Sequence, residues 1–507
     1  MSSKVFSASV FGFECKTVEV EVDILNGPAS ITIVGLGDAS VQESKERIRC
    51  AIKNSGAEYP RRKKTINLAP ADLHKHGPMF DLPIAVGLLV QSGQVHEGAL
   101  ADTAVMGELS LNGNLRRING VLPMVSHLKA AGFKKFILPT FNAAEAALVS
   151  GTEILGANDL KSVIDHLRGF NKIAPFERTE ENLPPPDSCL WHFEDIKGHD
   201  RIKRALTIAA SGMHNIFLIG PPGSGKTLLA RGFQSILPQM SFEEAIDVTK
   251  IYSISGKLPH GQAIISMPPF RAVHHTASTI SLVGGGSIPR PGEISLAHNG
   301  VLFLDELLEF PRSTLDSIRQ PIEDGFVNVT RAKASVTFPS RFILMAATNP
   351  CACGFFGDPV KACRCTPSQL SMYQKKLSGP LLDRIDIMCT VPRLPFEKIS
   401  VLEAAESSEQ IKKRVLAART RQFERFGKNI YNGRISSQDT QKYCAVSEAA
   451  KNLLKSAFAK FHYSGRSYYR IIKIARTIAD MENSTSILEN HMAEALAYRP
   501  QFGQEDV

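Results

Sequence analysis

The 507-residue chain has no apolar run approaching the roughly 18 to 20 residues needed to cross a bilayer. Its first residues, "MSSKVFSASVFGFECKTVEV", lack a basic leader followed by a long apolar stretch, so the expectation is a cytoplasmic protein with no membrane partner. Internal repeats, low-complexity tracts and sustained heptads are also missing. Nine cysteines make an odd total without one Cys-x-x-Cys pair, and Cys15, Cys50, Cys189, Cys389 and Cys444 are scattered, which argues against both a disulfide framework and a redox pair.

With 43% apolar and 21% charged residues, the chain can bury two or three separate cores. The formal charge of +9 is a modest bias toward polyanions, and charge alone suits a basic enzyme equally well.

Alternation in "KTVEVEVDI", with Val18, Val20, Val22 and Ile24 on one face, predicts a half-buried strand, and "ASITIVG" predicts a second. Val41, Ile48 and Ile52 stand at helical spacing, with Gly56 as a stop. Residues 1–168 therefore read as a mixed α/β domain. Residues 169–192, charged and carrying Pro184 to Pro186, read as a linker. From 193 to 395, helices alternate with the short apolar strands "NIFLIG", "GVLFLDE" and "RFILMAATN", the pattern of a parallel sheet covered by helices. Residues 396–507 are helical in pattern.

Each of those strands runs into a motif. "GPPGSGKT" (Gly220, Pro221, Pro222, Gly223, Ser224, Gly225, Lys226, Thr227) follows a strand and opens a helix, the context of a phosphate loop. Its glycines let backbone N–H groups wrap phosphates, Lys226 reaches the β and γ phosphates of ATP, and Thr227 offers a hydroxyl to Mg²⁺. "VLFLDE" ends in Asp305, to hold Mg²⁺ directly or through water, and Glu306, to polarise the attacking water. A cap for the following helix is the plainer reading of that acidic pair. Asn349 ends the next strand, where an amide would orient water against the γ phosphate, and "GPLLDRID" presents Arg384 beside acids.

This set resembles the AAA+ ATPases. The resemblance implies Asn349 as the first sensor, Arg384 as a finger acting on a neighbouring subunit, and Arg466 in "YSGRSYYRIIKIARTIAD" as the second sensor of a C-terminal helical lid, with Arg470 as its competitor. A surface or lid salt bridge is the alternative for each arginine.

Lys226 and Asp305 are 79 residues apart, more than a simple core needs, so "FRAVHHTASTISLVGGGSIPRPGEISLAHNG", with His274 and His275, is the expected insertion. "EDGFVNVTRAKASVTFP" reads as a hairpin turning near Lys333. Paired insertions at these places resemble the magnesium-chelatase and minichromosome-maintenance branch. "PPFRAVHHTAS", "GEISLAHNGVLFLDEL", "IRQPIEDG", "NPCACG" and "LSGPLLDRIDI" are similar, across essentially the whole chain, to the ComM/YifB family of magnesium-chelatase-like ATPases. That resemblance implies an ATP-driven hexameric DNA motor promoting branch migration in natural transformation, with Arg331 and Lys333 touching DNA phosphate. A chelatase-type subunit remodelling a protein partner is the rival.

"NLAPADLHKHGPMFDLPIAVGLL" and "INGVLPMVSHLKAAG" resemble the proteolytic domain of Lon proteases, which pairs a serine after Gly-Pro with a lysine. Here Met79 follows Gly77 and Pro78, and Leu122 takes the lysine's place, so the resemblance implies a scaffold without proteolytic chemistry. The nearby run Arg61 to Lys64 hints at polyanion contact, with a solvated charged loop as the simpler explanation.

Cys351, Cys353, Cys363 and Cys365 form a C-x-C, nine-residue spacer, C-x-C pattern on a loop rich in glycine. Four thiolates suit tetrahedral Zn²⁺, although structural sites usually space their cysteines two to four residues apart; free thiols and an iron–sulfur cluster are the other readings. Lys361 and Arg364 would make the tip of that loop basic toward DNA.

Overall fold

The computed structural model describes residues 2–75, 77–177, 191–286, 289–331, 334–376, 379–395, 406–461 and 463–499. They form two compact units, one of Met1–Pro185 with Ala245–Ile265, the other of Pro186–Glu244 with Ser266–Val507. Among the described residues no helix is long and apolar enough to cross a membrane.

The first unit is built on β1 (Ser3–Phe11), β2 (Glu14–Leu25), β3 (Ser30–Val34), α1 (Ala39–Asn54), β4 (Lys63–Ala69), α2 (Asp81–Gln91), β5 (Thr103–Val105), α3 (Val121–Ala130), β6 (Lys135–Pro139), α4 (Thr140–Ala146), β7 (Glu153–Ala157) and α5 (Leu160–Leu167). Its seven strands lie in the order β3-β4-β2-β1-β5-β6-β7. β1, β2 and β4 pair antiparallel, and the remaining neighbours pair parallel. The alternation in β2 does what the sequence predicts: Val18, Val20 and Val22 are fully buried, while Glu19 and Glu21 face Lys4 of β1. α1 starts where the Asp38 side chain accepts the Val41 N–H at 3.0 Å. Met79 is half-buried and Leu122 fully buried, so hydrophobic side chains occupy both positions aligned with the protease pair.

Residues 245–265 belong to this unit through a buried polar knot. The Glu145 carboxylate accepts the Leu122 N–H at 3.0 Å, the Asn142 amide at 3.3 Å and the Ser253 hydroxyl; that hydroxyl in turn accepts the Gly120 N–H at 3.0 Å. Burial raises the Glu145 pKa, and these donors partly offset the cost of enclosing the carboxyl.

The second unit contains α6 (Asp200–Gly212), β8 (Ile216–Ile219), α7 (Lys226–Gly232), the start of α8 (Phe242–Ser255), β9 (Phe270–Val273), β10 (Val301–Leu304), α9 (Arg312–Asp324), β11 (Phe326–Arg331), β12 (Ala334–Pro339), β13 (Ile343–Thr348) and β14 (Ile387–Thr390), then α10 (Ser408–Phe426), α11 (Glu448–Phe461), α12 (Gly465–Met481) and α13 (Glu489–Ala497). Its sheet, β9-β10-β13-β8-β14, is parallel throughout. All residues of β8, β10 and β13 are buried, as the continuous apolar runs predict for a sheet covered on both faces. The C-terminal helices share one hydrophobic core with this sheet, through Ile411, Val415, Leu454, Ile471, Ile474 and Met492 among others. β11 and β12 pair antiparallel from Phe326–Pro339 to Arg331–Ala334, and the expected insertion between Phe270 and Gly300 holds two short helices, Thr279–Val283 and Glu293–Leu296, and two two-residue strands. Lys333 lies outside the described residues, as do residues 178–190 of the expected linker and 396–405 at the expected start of the lid.

Candidate nucleotide and metal site

Parallel register brings three motifs to one edge of the second sheet. Ile219 of β8 stands level with Thr348 of β13, and Leu304 of β10 level with Ala346, so the residues that follow each strand emerge side by side. Ligands collect at this carboxyl edge in parallel sheets.

The phosphate loop turns from β8 into α7 with Gly223 at φ +76° and Gly225 at φ +87°, backbone that an L side chain strains to adopt. Gly220 is required for a different reason: a Cβ there would stand 2.2 Å from the Val391 carbonyl oxygen. The Ser224 hydroxyl is buried and has no hydrogen-bond partner among the described residues, an unspent donor inside the loop. Lys226 is buried, and its ammonium donates to Gly220 O at 2.7 Å, Pro221 O at 2.9 Å and Asn349 Oδ1 at 3.2 Å. Burial lowers its pKa, against the pull of Asp305 and Glu306. The Thr227 hydroxyl donates to Asp305 Oδ2 at 2.8 Å, placing the two proposed Mg²⁺ ligands in contact. These groups fit Mg²⁺-ATP: a cradle open to phosphate, one buried cation, and a hydroxyl–carboxylate pair for the metal.

Glu306 sits at φ +51°, in the left-handed region, immediately after Asp305, whose Oδ1 accepts its N–H at 3.0 Å. His275 Nδ1 stands 3.0 Å from Glu306 Oε2, the His274 and His275 rings are 4.1 Å apart, and the edge of His275 meets Phe310. The sequence pattern places these histidines only in the insertion. The signal was their place just past β9, the parallel neighbour of β10, which delivers them beside its acidic end.

The arginines separate by environment. Arg384 is buried, and its guanidinium lies 2.8 Å from Glu323; the more exposed Arg466 reaches the same carboxylate at 3.4 Å. Arg470 instead ion-pairs with buried Asp386 and donates to the Arg384 carbonyl at 3.1 Å. Burial alone would raise the Asp386 carboxyl, but Arg470, His214 and the Asn215 N–H outweigh it and hold the group well below the usual carboxylate range. Arg470 is thus committed to holding α12 against β14, which leaves Arg466 as the freer of the two.

The four clustered cysteines converge. Their Sγ atoms lie within 4.8 Å of one another, with Cys351 to Cys353 at 3.3 Å, Cys351 to Cys363 at 3.7 Å and Cys353 to Cys363 at 3.6 Å. A zinc–sulfur bond of about 2.3 Å gives a tetrahedral sulfur–sulfur edge of about 3.8 Å, whereas a disulfide needs about 2 Å. N–H donation from Arg364 and Phe355 lowers the Cys353 thiol to about 6, while the neighbouring sulfurs help raise Cys363 and Cys365, so without a metal the cluster gathers negative charge on Cys353. The donor set therefore fits Zn²⁺ despite the C-x-C spacing, because the intervening chain doubles back. Gly354, at φ +85°, packs on the phosphate loop so closely that a Cβ would lie 2.7 Å from Pro222 Cδ. Lys361 and Arg364 are exposed, with the Lys361 ammonium 5.0 Å from the Phe355 ring. Arg331 ends β11, and the structure describes its backbone only.

Three family models match along the chain: "Magnesium chelatase, subunit ChlI" over residues 192–399, "Subunit ChlI of Mg-chelatase" over 20–142, and "Magnesium chelatase, subunit ChlI C-terminal" over 405–499. The chain is 42% identical over 496 residues to protein YifB of Salmonella typhimurium, covering 98% of this chain and 96% of that one. It is 41% identical over 499 residues to competence protein ComM of Haemophilus influenzae, covering 98% and 97%. The chain belongs to the ComM/YifB family of magnesium-chelatase-like AAA+ proteins. The magnesium-chelatase 67 kDa subunit of Heliobacterium mobile is 25% identical over 183 residues, 31% of this chain and 27% of that one. Membership in this AAA+ family carries the expectation of ATP and Mg²⁺ as cofactors.

Two outcomes are expected. Replacing His275 by Ala should lower ATP turnover about tenfold to a hundredfold with little change in Mg²⁺-ATP affinity, since its contact is to Glu306 and not to the phosphate cradle, while His275→Gln retains more activity; steady-state hydrolysis and nucleotide titration check this. Purified protein should carry about one zinc per chain, and its four clustered thiols should resist alkylation until the metal is chelated; mass spectrometry of labelled protein reads the result.

Proposed function

We propose that this ComM/YifB member is a ring-forming, Mg²⁺-ATP-dependent DNA motor that promotes branch migration of incoming DNA during natural transformation. The observation that carries the reading is 41% identity to a competence protein over nearly the whole chain, joined to a phosphate loop, acidic pair and Asn349 gathered at one sheet edge. In this reading Lys226 neutralises the β and γ phosphates, Thr227 and Asp305 hold Mg²⁺, Glu306 polarises the attacking water and Asn349 orients it. Arg384 acts on a neighbouring subunit's nucleotide in a hexamer, exchanging Glu323 for phosphate, and Arg466 reports nucleotide to the C-terminal helices. Cys351, Cys353, Cys363 and Cys365 hold Zn²⁺, and through Gly354 the clip braces the phosphate loop. Arg331, Lys333, Lys361 and Arg364 are the proposed DNA contacts.

A second reading, a chelatase-type subunit remodelling a protein partner, is favoured by the match to the Heliobacterium magnesium-chelatase subunit, which spans under a third of the chain. Hydrolysis and strand-displacement assays on duplex, forked and four-way DNA separate the two. The motor reading predicts DNA-stimulated turnover and displaced strands, both lost with Lys226→Ala; turnover indifferent to every DNA, with no strand movement, supports the remodelling subunit.

A further inference from the structure

The first unit carries a cleft of about 740 Å³ between helix α1, the turn that follows it and edge strand β3. Lys45, Arg49 and Lys53 line it from α1. Spaced four residues apart, they form a stripe along one flank of the face that buries Val41, Ile48 and Ile52. Arg61 and Lys64 line it from the turn and the start of β4, so five cations meet only two acids, Glu46 and Glu58.

The arrangement is built and not merely solvated. Lys64 is almost fully buried; its ammonium donates to Pro60 O and Arg62 O at 2.8 Å each and lies 4.6 Å from the Tyr59 ring. These bonds fix the turn that presents Arg61. Burial, and to a lesser degree the nearby Arg49 charge, lowers the pKa of Lys64. Arg49 is paired with exposed Glu46 at 3.8 Å, whereas Lys45, Lys53 and Arg61 have no ion-pair partner among the described residues. Like charges at a four-residue spacing cost a helix a few tenths of a kcal/mol per pair. α1 bears two such pairs on one face, a cost that an anionic ligand would offset.

We infer that this cleft is a second nucleic-acid site, one that binds the phosphate backbone of single-stranded DNA without reading sequence. A track of cations beside an aromatic wall is the usual composition of single-strand grooves. Tyr59, half-buried in the wall, supplies the aromatic surface. The inference rests on the DNA-motor reading and deepens it: one separated strand is held on a unit that contributes no residue to the proposed hydrolysis chemistry.

The test is anisotropy of a fluorescein-labelled 30-nucleotide oligothymidylate titrated with full-length protein across a salt series. Three lost phosphate contacts should make the log–log salt slope shallower by about 2 and weaken binding at 0.1 M salt about tenfold to a hundredfold. The combined variant Lys45→Ala, Lys53→Ala, Arg61→Ala should show that loss while its DNA-independent ATP hydrolysis is unchanged, which reports intact folding. The charge-preserving set Lys45→Arg, Lys53→Arg, Arg61→Lys should keep the native slope. Unaltered affinity and slope in the alanine variant, with binding by the parent intact, would overturn the cleft alone. No binding by the parent protein even at low salt would overturn the cleft together with the motor reading beneath it.

Discussion

The 2.8 Å hydrogen bond from the Thr227 hydroxyl to Asp305 joins residues 78 positions apart in the chain, and only the parallel register of β8, β13 and β10 lets them meet. The same register sets Asn349 against Lys226. Every functional role assigned to this edge depends on it, because phosphate, metal and water must be addressed from three strand ends at once. Complete burial of those strands makes the register hard to slip.

Around that edge the molecule adds control elements. The cysteine loop begins directly after Asn349 and packs against the phosphate loop at Pro222, so a metal bound by its four cysteines would connect the nucleotide cradle with the loop leading toward Arg384. His275, arriving from the neighbouring strand, contacts the carboxylate proposed to activate water. Glu323 gathers Arg384 and Arg466 together, so one carboxylate connects the proposed trans-acting arginine with the C-terminal helices. Asp386 holds Arg470 on α12 and the Asn215 N–H before β8, fixing those helices to the sheet that carries the phosphate loop.

Where short-range pattern decides structure, the sequence was readable. The alternation of β2, the helical spacing and stop of α1, the three apolar strands and the motifs that follow them all depend on residues within one element or the turn beside it. Where the decision is tertiary, it was not. Nothing local marks residues 245–265 as part of the first unit; Ser253 is an ordinary helix residue until Glu145, more than a hundred positions away, supplies the buried carboxylate. The pairing of Arg470 with Asp386 and the close approach of Gly354 to Pro222 likewise join segments that are far apart in the chain. The basic run at Arg61 to Lys64 looked like a solvated loop until Lys64 proved to be buried and α1 supplied the other wall.

The central claim is that this sheet edge binds Mg²⁺-ATP through Lys226, Thr227 and Asp305 and hydrolyses it through Glu306. The most direct measurement compares equilibrium nucleotide binding with hydrolysis in the parent protein and in Glu306→Gln. The account predicts that both bind Mg²⁺-ATP with similar affinity and that only the parent releases phosphate at an appreciable rate. Phosphate release by Glu306→Gln at the parent rate, or failure of the parent to bind Mg²⁺-ATP, would contradict it.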